Sequence, residues 1–446
     1  MSTHAVVGRR WQPQWLSSPH ARRLFGCLAA GVVVALITGK TGSNDAPTSG
    51  ITGTFKSTHA YLWIAGGVAL WVLLEAKERY GDGLAGASRL LDRPRARMAE
   101  KKVRYPAWLV LLGFAILLPS LVNGFWQEVL VGQIAPYVLL AIGLNVVVGF
   151  AGLLDLGYIA FFAVGAYSAA YWTGSLPVHP PFQTGAFWAI PLSILTAMVA
   201  GLILGAPTLR LRGDYLAIVT LGFGNIISLV ADNLNSVTGG SQGVPHTVPV
   251  FAIHAAGVHY TWPQLELLNH KPWYYLILAL TVIVVVLFSL LENSRVGRAW
   301  VAVREDEVAA EACGINPLKY KVMAFAIGAS TSGLAGVFFA SKTGFFNPGD
   351  FPFSASVLVL VFVIFGGMGS LPGAILGAAV LQFLPQYLRG HIQQPDLYAY
   401  YGALLVVMMI FRPQGILPSK RRAREFGLAE AGIGGADALG GQGQAP

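Results

Sequence analysis

Few residues stand at spacings that could do chemistry. Gly39-Lys40-Thr41 has the ending of a phosphate-binding loop, in which glycine amides and a lysine cradle phosphate oxygens. The loop needs its first glycine at position 34, where the chain has Val34. Gly222-Phe223-Gly224 begins like a dinucleotide fingerprint, but Ile227 stands where the third glycine belongs. His179, His246, His254, His259 and His270 fall in polar stretches with no metal-ligand spacing, and solvated loop histidines account for them. Serines, histidines and carboxylates form no nucleophile–base set. No catalytic residue, metal, cofactor or nucleotide site is expected, and the chain alone is not read as an enzyme.

Two other groups of residues carry more. The first places polar side chains among glycines inside apolar sequence. Gly143-Leu-Asn145 leads to Gly149, Gly152, Asp155 and Gly157. Glycines at this density weaken a helix and leave backbone groups free. At membrane depth such backbone is tolerated where protein or a water-filled cavity satisfies it. The stretch Thr220-Leu-Gly222-Phe-Gly224-Asn225 repeats the combination, with Asn225 read as a buried amide. Asn145, Gly149, Gly152, Asp155, Thr220 and Asn225 are the candidate residues of a translocation pathway. Close packing of helices through glycine is the competing reading, and an Asp155 at the end of a span would need no role.

The second group lies between Glu292 and Lys321. Its middle, Arg304-Glu305-Asp306-Glu307 through Glu311-Ala312-Cys313-Gly314, holds good helix formers with acids early, and Gly314 and Pro317 stop it. A short amphipathic helix here could dock into a partner's groove; a solvated connector is the plainer alternative.

The elements that position these residues follow from composition. Of 446 residues, 54% are hydrophobic and 11% charged, whereas soluble domains carry about 25% charged residues. A lipid-solvated surface explains the deficit. Apolar stretches long enough to span a bilayer include 107–122, 129–154, 215–231, 273–291, 322–340 and 397–411. Two spans fit 156–209 around a polar break near 173–184, and two fit 351–388 around Gly366, Gly367, Gly369 and Pro372. The shorter stretches 24–39 and 61–74 would make an N-terminal hairpin. The fold class is therefore an all-α polytopic membrane protein of about 12 transmembrane helices. Period-two alternation, the mark of a membrane barrel, is missing. Arg22-Arg23 before the first apolar run reads as an anchor rather than a twin-arginine signal, since no Ala-x-Ala cleavage signature follows.

With a cytoplasmic N-terminus and alternating spans, all 30 basic residues except Lys40, Lys56, Lys271, Lys342 and Arg389 fall inside, as the positive-inside rule requires. The formal charge of +9 then faces anionic lipid, and nucleic acid is not needed to explain it. The parts are an N-terminal transmembrane hairpin (1–75), a basic cytoplasmic linker (76–106), a transmembrane core (107–412) and a largely disordered cytoplasmic tail (413–446). Two cysteines, Cys27 and Cys313, stand too far apart in chain and depth for a disulfide framework.

Seven stretches resemble the LivM family, permease subunits of bacterial ATP-driven branched-chain amino-acid importers. They are Gly143–Gly152, Leu209–Gly224, Thr238–Gly243, Gly297–Trp300, Arg304–Glu307, Phe365–Ser370 and Arg412–Pro418. The resemblance runs in order from about Ala107 to Pro418. It implies two similar five-helix halves with the hairpin added. It further implies a second, LivH-like permease, two LivG/LivF-like ATPases, a periplasmic amino-acid-binding protein, and residence in the bacterial inner membrane with both termini cytoplasmic. Residues matching the family's cytoplasmic loop are Arg304, Glu305, Asp306, Glu311, Ala312 and Gly314, and the resemblance makes them the ATPase-coupling segment. The general importer pattern Glu-Ala-Ala-x-x-x-Gly is not met; the chain has Glu311-Ala312-Cys313-Gly314. Related permeases also serve urea or short amides. A secondary transporter would need intramembrane ionisable residues for ion coupling, and the core has almost none.

Overall fold

The computed structural model describes residues 112–113, 115–181, 186–208, 214–245, 252–255, 258–261, 270–387, 401–402 and 415–417. The expected N-terminal hairpin, the basic linker and nearly all of the tail lie outside the described residues. The described residues from 115 to 387 and 415–417 belong to one compact unit.

The described residues are mostly helical. Among the described residues six helical stretches are long and apolar enough to cross a membrane: Gly124–Phe150, Trp188–Ala206, Tyr215–Asn233, His270–Glu292, Pro317–Thr343 and Pro348–Gly366. The chain is a multi-pass membrane protein. The first stretch combines α1 (Gly124–Val129) and α2 (Ala135–Leu144) with two π-helical segments, Leu130–Ile134 and Asn145–Phe150. After it come α3 (Ile159–Trp172), α4 (Ala186–Thr208) and α5 (Asp214–Asn233). Next are α6 (His270–Glu292), α7 (Arg295–Glu305), α8 (Glu307–Ala312), α9 (Pro317–Thr343), α10 (Phe353–Gly366) and α11 (Leu371–Tyr387). The polar break expected near 173–184 separates α3 from α4, and the break at Gly366–Gly369 separates α10 from α11.

Burial sorts the spans. The Gly124–Phe150 and Pro317–Thr343 stretches are 78% and 72% buried, against 28% for Tyr215–Asn233 and 22% for His270–Glu292. α9 is the hub, packed on α2, α3 and α4. Lipid is as apolar as leucine, so packing in a membrane depends on close backbone approach through small residues. A Cβ on Gly165 of α3 would stand 2.5 Å from Gly333 Cα of α9, and one on Gly336 would stand 2.8 Å from Ala166 N. Gly366 and Gly373 bring α10 and α11 together in the same way. The glycines at these crossings serve packing.

The connection after α5 contains a helical turn, Asn235–Thr238, and three short strands, β1 (Val244–Pro245), β2 (Ala252–Ala255) and β3 (Val258–Thr261). β2 and β3 form an antiparallel hairpin; β1 pairs antiparallel with β4 (Phe345–Phe346), matching Val244 to Phe346. Thus Thr238–Gly243 and the end of α9 close one end of the bundle. α7 and α8 lie at the other.

Two expectations need correction. The loop between Glu292 and Lys321 holds two helices rather than one. Asp306 is the reason: its backbone is extended (φ −153°, ψ 114°), and its side chain accepts from Val308 N and Ala309 N to start α8. Ser294 caps α7 and Asn316 caps α9 in the same manner. The second correction concerns Gly222 and Gly224. They do not break α5, which runs unbroken from Asp214 to Asn233.

Candidate functional site

The helix break anticipated from Gly143 to Gly157 begins as a widening. Asn145–Phe150 is π-helical, and residues 151–158 leave the helix altogether. Asn145 is 0% exposed. Its Oδ1 accepts from Gly369 N at 2.8 Å, in the break between α10 and α11, while its buried Nδ2 makes no hydrogen bond among the described residues. Gly149 faces the same spot, where a Cβ would stand 2.5 Å from Gly369 N. The Gly149 carbonyl accepts from the Arg304 guanidinium at the end of α7. Gly152 has φ +72°, and a Cβ there would land 2.6 Å from Arg304 Cγ. Ile416 N and Leu417 N donate to the Phe365 and Gly366 carbonyls at 3.0 and 2.9 Å. Four stretches distant in sequence therefore meet at one node: Gly143–Gly152, Arg304, Phe365–Ser370 and Gly415–Leu417.

The non-helical backbone beyond the node is satisfied by side chains, as irregular structure in a membrane must be. Asp155, also 0% exposed, accepts from Gly157 N at 2.9 Å through Oδ1, and its buried Oδ2 makes no hydrogen bond among the described residues. Thr220 Oγ1 accepts from Leu156 N at 3.1 Å, and Ser356 Oγ accepts from Ile159 N at 3.0 Å. Tyr158 donates its hydroxyl to Gly328 O at 2.9 Å. Asn145, Gly149, Gly152, Asp155 and Thr220 thus belong to one continuous break and its backing on α5.

Asn225 does not join them. It lies on the exposed side of α5, contrary to its reading as a buried amide. Its exposed neighbours Ile218, Ile226 and Leu229 are apolar, and a Cβ on Gly222 would meet nothing within 4 Å. Helical phase decides the matter: Thr220 and Gly224 face the break, and Asn225 is turned by about 100° from Gly224.

The other candidates divide between α7 and α8. Arg304 and Glu305 end α7, Asp306 is the junction, and Glu311, Ala312 and Gly314 lie on or just beyond α8. Arg304 points to its own chain's Gly149 rather than joining the acids of α8. The pair is anchored at two places. Trp300 Nε1 donates to Tyr320 O at 2.8 Å, and Lys321, 6% exposed, meets Glu307 at 2.7 Å. A cleft of about 390 Å³ opens between α8 and the start of α9, lined by Glu307, Glu311, Ile315, Asn316 and Leu318. Beside it Val308 is 66% exposed.

Residue patterns did not reveal Ser356, Gly369 and Lys321 as parts of the site. Gly369 carried a signal in Phe365-Gly-Gly-Met-Gly-Ser370. Lys321 read only as one more basic residue, and Ser356 gave none. Glu307→Ala should lower stability by about 1–3 kcal/mol, because it strands a buried ammonium. Partial exposure of Glu307 keeps the cost below that of a wholly buried pair. Thermal unfolding in detergent would check this, and an unchanged midpoint would mean the pair is idle.

Residues 128–412 match the family described as branched-chain amino acid transport system / permease component. The chain is 40% identical over 300 residues to the high-affinity branched-chain amino acid transport system permease protein LivM of Escherichia coli, covering 64% of this chain and 68% of that protein. It is 24% identical over 328 residues to a probable LivM of Methanocaldococcus jannaschii, covering 64% of this chain and 91% of that protein. It is also 25% identical over 292 residues to the permease protein LivH of E. coli, covering 63% and 91%. No solved structure matches the chain. A multi-pass helical core, a glycine-rich break inside it and a capped helix pair at one end accompany these matches, and the chain belongs to the branched-chain amino acid transport permease family.

Proposed function

We propose that the chain is one of two permease subunits of an ATP-driven importer of branched-chain amino acids. The observation that carries this is the α7–α8 pair, a rigid polar platform anchored to the base of the hub helix α9 and touching the membrane-embedded break. An importer needs such a platform where an ATPase can push. In this reading α7 and α8 are cytoplasmic, the cleft beside Glu307 and Glu311 receives the ATPase, and the β1–β4 end faces a periplasmic binding protein. The positive-inside rule supports that orientation in a bacterial inner membrane, with both termini cytoplasmic. In the same reading the chain has about 12 helices, the core forming two five-helix halves. The chain supplies no nucleotide chemistry of its own; two LivG/LivF-like subunits do.

Similarity to both LivM and LivH supports a second, LivH-like permease packed in pseudo-symmetry. Asn225 indicates where. An amide in mid-helix facing lipid would be costly, whereas one facing a partner across a solute pathway would not. The exposed face of α5 is therefore the pathway wall completed by the second permease. Asn145, Asp155 and Thr220 shape the break behind it.

Reconstitution with the second permease, the ATPases and the binding protein tests the reading. Leucine uptake that depends on all components is expected, and uptake of urea or short amides alone would overturn the substrate class. Asn225→Leu should reduce uptake roughly tenfold, the scale of one lost hydrogen bond to a polar partner, while leaving the chain at its normal level in the membrane. Normal uptake by that variant would make α5 a lipid-facing helix.

A further inference from the structure

Three observations around Arg304 exceed what a docking residue requires. Its guanidinium donates to the Gly149 carbonyl, in the last turn of the π-helical segment. Its stem lies over Gly152, where φ is +72° and a Cβ would stand 2.6 Å from Arg304 Cγ. Gly149 in turn abuts Gly369, where a Cβ would stand 3.2 Å from the Gly149 carbonyl oxygen and 3.6 Å from the Arg304 guanidinium. Gly369, at φ +77°, also donates to Asn145. One side chain on the helix pair thus touches the break at Gly149–Gly152 directly and lies beside the break at Gly369, which Gly149 abuts.

We propose that Arg304 is a positioning residue: it clasps α7 to the paired breaks at Gly149–Gly152 and Gly367–Ser370, and so transmits movement of the helix pair to the pathway. This rests on the reading of α7 and α8 as the ATPase platform. The physical case is direct. The last carbonyls of a helix have no intrahelical donor; the helix ends at Phe150, and Gly149 meets that need with a charged donor from another element. A charge-assisted bond is short and directional, so displacing α7 must either carry Gly149 along or break the bond. Because Gly149 abuts Gly369, and Gly369 donates to Asn145 of the same segment, a shift of one break bears on the other. Glu311, by contrast, is exposed on α8 and lines the cleft rather than the breaks.

Two measurements separate the clasp from the platform. In the full chain in detergent, hydrogen exchange read by mass spectrometry should rise in peptides covering 145–153 and 367–370 in Arg304→Ala, with the α9 peptides unchanged. Arg304→Lys, which keeps a cationic donor, should restore part of the protection. In the reconstituted complex, Arg304→Ala should still co-purify with the ATPases. The ratio of hydrolysis with substrate-loaded binding protein to hydrolysis without it should fall by roughly tenfold, the scale of one charge-assisted hydrogen bond. Unchanged exchange overturns the clasp. Raised exchange with a normal ratio overturns its part in transmission. Loss of ATPase co-purification makes Arg304 a docking contact and also overturns the proposal. If the wild-type chain binds no ATPase, the platform reading fails, and the exchange measurement still decides whether the clasp exists.

Discussion

Gly165→Leu should keep the chain from accumulating in the membrane, whereas Gly222→Leu should leave its level unchanged. Both substitutions add the same apolar side chain to a glycine within a helix. On α3, the first atom of the new side chain already stands 2.5 Å from Gly333 Cα of α9. The obstacle is backbone, which cannot rotate away as a side chain can. Overpacking a tight interior costs about 1–3 kcal/mol, occasionally more, and a helix–helix crossing closed by glycine on both sides lies at the upper end. Since α9 also holds α2 and α4, the loss spreads through the core. On α5 the Gly222 position is open within 4 Å, so the leucine meets nothing in this chain. Quantitative blotting of membrane fractions, with a thermal aggregation series in detergent, reads the difference. Equal levels of the two variants would mean that the α3–α9 crossing is not what holds the core.

Transport should fall at least roughly tenfold in Ala310→Pro while the spans still insert. Ala310 N donates to Asp306 O at 3.0 Å, the bond that closes the first turn of α8. Proline removes the donor and presses its ring on that carbonyl, at about 3 kcal/mol in a helix interior. α8 has six residues, too few to shift the damage elsewhere. Ala310 is also 4% exposed, so the ring has no free space to enter. A distorted α8 moves Glu311 and the cleft it lines, and with them the proposed ATPase contact. Glu311→Lys should reduce transport less, since it changes a charge and keeps the helix. Uptake into proteoliposomes, beside substrate binding by the separate periplasmic protein, checks both variants; binding should be untouched. Normal uptake by Ala310→Pro would reduce α8 to a connector. Loss of ATPase association is expected here and not in Arg304→Ala, and this distinguishes the platform from the clasp.

The amino-acid sequence by itself determined the class of the protein and the course of its spans among the described residues. Charge depletion and twenty-residue apolar runs reflect the solvent of each segment, a local property that needs no knowledge of neighbours. The same holds for the breaks at 173–184 and Gly366–Gly369, because glycine and proline act on their own backbone. Short motifs gave the family for a similar reason, being contiguous. Tertiary structure alone decided which polar groups meet. Asn145 and Gly369 are joined by one hydrogen bond across 224 residues, and Arg304 and Gly149 across 155. No spacing in the chain encodes such pairings. Asn225 shows the limit most plainly. Its composition and its glycine neighbours match those of Asn145, yet one side chain is sealed inside and the other faces outward. In a chain where core and surface are equally apolar, hydrophobic periodicity cannot tell the inner face of a helix from the outer one. Only the packing of α5 against the 151–158 break fixed which side Thr220 and Asn225 would take.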